Sequence, residues 1–232
     1  MTPTSDTLRS SALDEETARS ELYGLLALVY YAPPTTELVA DLRVAATDAP
    51  AAGAFLEAPW RALVGVARDM THQSIQSEYN ALFEGVGKPD IYLYGSHFLS
   101  GFLNEKPLAR LRTELARLGL ARDEGMSETE DHFAYLCEVM RYLIAGDDVA
   151  VANLTRQREF FCTHLQPWVI TMCDDIQKHP KARFYAAVAE LTRAFMSVEA
   201  QGFDMLAGDR FGSSLASTGP VWVRRSATDR HA

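Results

Sequence analysis

The stretch Gly125–Ile144, GMSETEDHFAYLCEVMRYLI, sets three acids and a histidine directly ahead of a strongly apolar helical pattern. At about 100° per residue, Phe133, Leu136, Cys137, Met140, Leu143 and Ile144 share one face, which predicts a helix buried along that face. Ser127 and Glu130 have the capping-box spacing, so the helix is expected to start at Ser127, with the acids placed where the helix dipole favours them. Glu128, His132, Tyr135 and Val139 form a neighbouring stripe. Glu128 and His132 lie one turn apart, within reach of a hydrogen bond, and Asp131 is expected to point away from the core face. Three readings stand open on these residues alone: a well-capped helix with a half-buried histidine, a binding patch, or a metal or catalytic site.

The rest of the chain reads as helix after helix. In ARSELYGLLALVYYAPP, Leu22, Leu25, Leu26, Val29 and Tyr30 recur at helical spacing until Pro33 and Pro34 end the pattern. A short helix follows near Glu37–Ala46, then PWRALVGVARDM and HQSIQSEYNALFEG, the latter stopping at Gly85. The segment VGKPDIYLYGS holds two glycines, a proline and two tyrosines, and reads as an ordered loop that offers aromatic side chains. Pro107 opens the next helix, Leu108, Leu111, Leu115 and Leu118 give it an apolar stripe, and Gly119 stops it. Further helices are expected over Asp148–Cys162, Gln166–Lys178 and Lys181–Val198. No stretch alternates as a strand does. The expectation is an all-α fold of nine to ten helices in one globular domain over residues 1–202, with room for lobes at 12–120 and 127–200. Residues 203–232 read as a mobile tail with one contact through Val221–Val223.

Composition narrows the function. The 232 residues are 47% hydrophobic and 23% charged, enough for a sizeable core. A net charge of −9, from 31 acidic against 22 basic side chains, disfavours nucleic acid and suits a cationic or neutral partner. The N-terminal residues lack the order of a secretory signal, and no apolar run is long enough to span a membrane, so a cytoplasmic protein is expected. Cys137, Cys162 and Cys173 sit inside apolar helical patterns without paired spacing and read as reduced, buried thiols. Phosphate loops, dinucleotide fingerprints, zinc-protease helices and nucleophile elbows are missing. A di-iron bundle would need Glu-x-x-His twice; the chain has Glu128-x-x-x-His132 once. His72, His97, His164, His179 and His231 are scattered without ligand spacing.

With these residues in view, the sequence resembles the TorD/DmsD/NarJ-type family of redox-enzyme maturation chaperones from about Arg19 to Ser197. The resemblance rests on LYGLLALVYYAPP, on EYNALFEGVG with Leu82 and Phe83, on the loop through Tyr94 and Ser96 followed by PLARL, on ETEDH and on FYAAVAELTRAFM. The family signature is Glu-Pro-x-Asp-His at a helix start; Glu128, Asp131 and His132 fill its polar positions, and Thr129 stands where proline is usual. The resemblance implies a non-enzymatic, all-helical chaperone, monomer or helix-exchanged homodimer, without a bound cofactor or metal. Its partner would be the catalytic subunit of a molybdopterin oxidoreductase, bound through its twin-arginine signal peptide, the apoenzyme body, or both. Two arginines beside an apolar run call for an acidic rim around an apolar groove. Glu84, Asp90, Glu128, Glu130 and Asp131 are candidates for the rim; Tyr79, Leu82, Phe83, Tyr92 and Tyr94 are candidates for the groove. Glu128, Asp131, His132, Leu82, Phe83, Tyr92, Tyr94 and Ser96 are thus the expected client-binding residues. A helical metal- or haem-dependent oxidase using His132 with Glu128 is the alternative from another class.

Overall fold

Where the apolar spacing is helical, the chain is helical. The structure, a computed structural model, describes residues 5–47, 54–85, 87–103, 105–123, 125 and 127–215, with the backbone alone described at 5–14, 54 and 207–215. Ten helices follow one another in these residues: α1 Ser5–Tyr31, α2 Thr36–Val44, α3 Ala54–Asp69, α4 His72–Phe83, α5 Gly95–Ser100, α6 Lys106–Arg117, α7 Phe133–Ala145, α8 Leu154–His164, α9 Val169–Lys178 and α10 Phe184–Leu215. Among the described residues the sole β feature is an isolated antiparallel bridge between Tyr94 and His132. The expected all-α class is what the chain adopts.

Helix α7 is the axis of the molecule. Phe133, Leu136, Cys137, Met140 and Leu143 are at most 1% exposed, and α1 packs along this helix more extensively than any other pair of helices meets. At roughly 1.5–3 kcal/mol for each fully buried large side chain, this one face contributes on the order of 10 kcal/mol before chain entropy is charged against it. Helix α10 packs against α9 and α3. The buried side chains form one continuous cluster from Tyr23 to Phe203, so both halves of the chain share a core. Cys137 and Cys173 are buried and Cys162 half-buried, all three as free thiols.

Several boundaries are moved by tertiary contacts. The helix expected from Ser127 begins at Phe133, with His132 as its N-cap. Glu130 instead gives both carboxylate oxygens to Arg112 at 3.0 and 2.9 Å, which removes the capping box. Helix α10 passes Gly202 and continues to Leu215, because Phe203 is buried against Phe161 with ring centroids 5.3 Å apart. Residues 203–215 are therefore helical; the rest of the expected tail, with Val221–Val223, lies outside the described residues. The six-residue helix α5 falls within a segment too short to show a period.

Buried charge ties the helices together. Arg19 on α1 donates to both carboxylate oxygens of Glu199 on α10, at 2.7 and 2.8 Å, and to Gln157 of α8 at 3.1 Å. Tyr23 adds a third donor to Glu199 at 2.9 Å. On α4, Glu78 shares the buried face of Ile75, Tyr79 and Leu82. Its carboxylate accepts the backbone N–H groups of Arg183, Phe184 and Tyr185 at 2.8, 3.1 and 2.7 Å, so one helix caps the start of another.

Candidate functional site

Two short extended segments meet at the Tyr94–His132 bridge. The N–H of Gly95 donates to the carbonyl of Asp131 at 3.0 Å, and that of Phe133 donates to the carbonyl of Leu93 at 2.8 Å. Immediately after each segment a helix begins, α5 from one and α7 from the other, and both need their first amide groups satisfied. Tyr94, the N-cap of α5, offers no side-chain cap. Asp131 supplies it from across the bridge, accepting the N–H of Ser96 at 2.8 Å. Its other oxygen accepts the hydroxyl of Thr129 at 2.6 Å, the residue at the usual proline position. His132 caps α7 through Nδ1, which accepts the N–H of Ala134 at 3.2 Å. The Asp-His pair is thus a double cap that holds two helix starts in fixed relation.

This placement corrects the expectation that Asp131 points away from the core, and it buries His132 more fully than the half-buried histidine of the sequence reading, since the two are 3% and 4% exposed. Burial pushes the His132 imidazole down to about 4, against the opposing pull of Glu128 and Asp131. The ring is therefore neutral near pH 7, as its acceptor role at Nδ1 requires. The expected Glu128–His132 bond does not form. Glu128 turns instead to the hydroxyl of Tyr94, which donates to its carboxylate. Burial first, and then that bond, raise the Tyr94 phenol well above its ordinary value.

A cleft of about 390 Å³ opens beside the bridge. Tyr31 and Ala32 from the end of α1, Tyr79 and Phe83 from α4, Pro89 and Ile91–Tyr94 from the connecting segment, and Leu103 wall it with apolar and aromatic surface. Glu84, Ser127, Glu128 and His132 complete it, and no lysine or arginine lines it among the described residues. The bend that carries the chain from α4 to this wall depends on Gly85, where an added Cβ would stand 1.9 Å from the carbonyl oxygen of Lys88. A smaller cleft, about 250 Å³, lies across the same segment, where Tyr92 stacks on His97 with ring centroids 4.2 Å apart.

Of the residues expected to bind a client, Phe83, Tyr92, Tyr94, Glu128 and His132 come together around the larger cleft. Leu82, Ser96 and Asp131 do not line it: Leu82 is fully in the core, Ser96 is buried at the start of α5, and Asp131 is the cap beneath the wall. Of the rim acids, Glu84 and Glu128 face the cleft. Glu130 is held by Arg112; burial pushes its carboxyl up, but the Arg112 bond, a backbone hydrogen bond and the nearby arginine charges together keep it below the ordinary range. Asp90 lies on the smaller cleft, 3.3 Å from His179 and 3.4 Å from Lys181. Among the described residues no three His, Cys, Asp or Glu side chains gather into a metal-holding group. Tyr31 and Leu103 belong to the cleft and went unread. They come from a helix end and a connection far apart in the chain, a juxtaposition no local pattern encodes.

The fold and site define an all-helical protein organised around a doubly capped turn and an acidic, aromatic-walled cleft. Residues 49–174, more than half of the chain, match the family model described as nitrate reductase delta subunit, and the chain belongs to that family, the TorD/NarJ family of the resemblance above. It is 23% identical over 140 residues to the chaperone protein TorD of Vibrio parahaemolyticus, a match covering 57% of this chain and 65% of that one. To the chaperone protein TorD of Vibrio cholerae it is 26% identical over 112 residues, covering 46% and 51% respectively. The chain thus spans between half and two thirds of the length of these curated relatives. A structure from Archaeoglobus fulgidus, described as a redox enzyme maturation protein, superposes with a TM-score of 0.49 at 17% identity over 77% of this chain and 93% of that one. No helix among the described residues is long and apolar enough to cross a membrane.

Proposed function

We propose that this chain is a cytoplasmic maturation chaperone, without enzymatic turnover, for the catalytic subunit of a molybdopterin oxidoreductase, and that the larger cleft receives the enzyme's twin-arginine signal peptide. One observation carries this reading: the cleft presents two carboxylates, Glu84 and Glu128, within an aromatic wall that holds no lysine or arginine among the described residues. An arginine brought here would meet a carboxylate and aromatic rings, both of which suit a guanidinium. Family membership supports the assignment, as do the chaperone names of the curated relatives. Phe83, Tyr92, Tyr94, Glu128 and His132 make contact in this reading, while Leu82, Ser96 and Asp131 act by holding them in place.

The test is fluorescence anisotropy with a labelled synthetic peptide that carries two adjacent arginines followed by an apolar run. Glu128→Gln keeps an acceptor for Tyr94 but removes the charge, and should weaken binding about fivefold at low salt, the worth of about 1 kcal/mol for a partly exposed pair. High salt should shrink that difference, because the screening length falls to about 3 Å at 1 M. Equal affinity for a peptide with both arginines changed to glutamine would refute the acidic-cleft reading.

A further inference from the structure

The last turn of α5 and the residues just after it raise a knuckle of apolar side chains. Phe102 is 71% exposed, Leu99 42% and Leu103 41%. This is a built feature. Gly101 ends α5 in the left-handed conformation at φ +79°, its N–H donating to the carbonyl of His97, and the Ser100 hydroxyl lies 2.7 Å from the carbonyl oxygen of Ser96 and 3.2 Å from that of Phe102. Three large apolar groups held out to water within five residues mark a contact surface, where scattered single ones would not. Leu103 also lines the larger cleft, so the knuckle and the carboxylates of Glu84 and Glu128 belong to one continuous surface.

We propose that this knuckle seats the apolar run of an arginine-bearing segment whose cations pair with Glu84 and Glu128; the assignment rests on the reading of the cleft given above. Charge selects the occupant. A neutral apolar partner spreading from the knuckle over the cleft would desolvate two carboxylates without compensation, which is costly. A second copy of this chain, with a net charge of −9, would bring further acids to an acidic mouth. An apolar segment with adjacent cations satisfies both parts at once. The competing seat is the exposed flank of α1 and α7 at Leu28 and Tyr142, which adjoins the cleft through Tyr31.

Anisotropy titrations on the full chain decide between them, with four synthetic peptides: the parent, one with the arginines changed to glutamine, one with the apolar run changed to serine, and one with both changes. Phe102→Ser should weaken the parent about tenfold and weaken the glutamine peptide by the same factor, yet leave the serine peptides unaffected, as expected for an anchor that meets only the apolar run. An unchanged parent affinity in Phe102→Ser overturns the proposal, as does equal weakening of parent and serine peptides. A loss in Tyr142→Ser with none in Phe102→Ser overturns it in favour of the α1–α7 flank. Failure of the unmodified protein to bind the parent peptide would overturn the functional reading itself, and this inference with it.

Discussion

Replacing Asp131 with alanine should cost stability before it costs anything else. The carboxylate is 3% exposed and accepts two hydrogen bonds, from the N–H of Ser96 at 2.8 Å and the hydroxyl of Thr129 at 2.6 Å. Hydrogen bonds to a charged group are worth about 1.5–3 kcal/mol each, and the first leaves an orphaned amide at the start of α5 when it is lost. Removing the buried charge recovers part of its desolvation cost, so the net loss is about 2–4 kcal/mol. In a chain of this size that lowers Tm by roughly 5–15 °C. Asp131→Asn retains an oxygen for Ser96, and Thr129 can turn its hydroxyl to accept from the new amide, so this variant should lose only about 1 kcal/mol. Thermal melts followed by far-ultraviolet circular dichroism at pH 7 measure both. An alanine variant that melts within a degree of the parent would show that Asp131 faces water, as the sequence pattern suggested, and would refute the double cap. So would an asparagine variant as damaged as the alanine one.

His132 makes stability depend on pH. Its folded value of about 4 lies below the ordinary 6.5, so between these values the unfolded chain binds more protons. The stabilising contribution is complete above pH 6.5 and is lost as pH falls toward 4, by on the order of 3 kcal/mol. His132→Asn keeps a capping acceptor for Ala134 and should flatten the stability profile across that window in urea titrations. Glu78→Ala strips three amide groups at the start of α10 of their acceptor and should cost about 3 kcal/mol in the same assay, with Glu78→Gln recovering part of it. Met140→Ala, in the fully buried face of α7, should cost about 2–5 kcal/mol while leaving peptide affinity at 10 °C unchanged.

Much of the helical framework was readable along the chain. Pro107 and Gly119 bracket α6, whose C-terminal glycine has φ +73°, because proline at a first turn and glycine past a last one act through local backbone geometry. The buried face of α7 was equally plain, since six apolar side chains at helical spacing leave one way to exclude water. Glu78 carried a signal that went unread: a carboxylate at a buried position of an apolar stripe implies a partner elsewhere.

What the sequence determined by itself was an all-α chain, the approximate position of most helices, and a polar Glu-x-x-Asp-His group at a helix start. Those properties follow from periodicity, from proline and glycine, and from the charge of individual residues, all of which act over a turn or two of backbone. Only the tertiary structure decided what that polar group does. Glu130 could have closed a capping box with Ser127, yet Arg112 takes its carboxylate; Asp131 could have pointed to water, yet it caps α5 from across the bridge. Glu128 could have met His132, yet Tyr94 lies closer in the folded chain. The local alternatives differ by about a hydrogen bond each, so a long-range partner of similar strength is enough to choose between them.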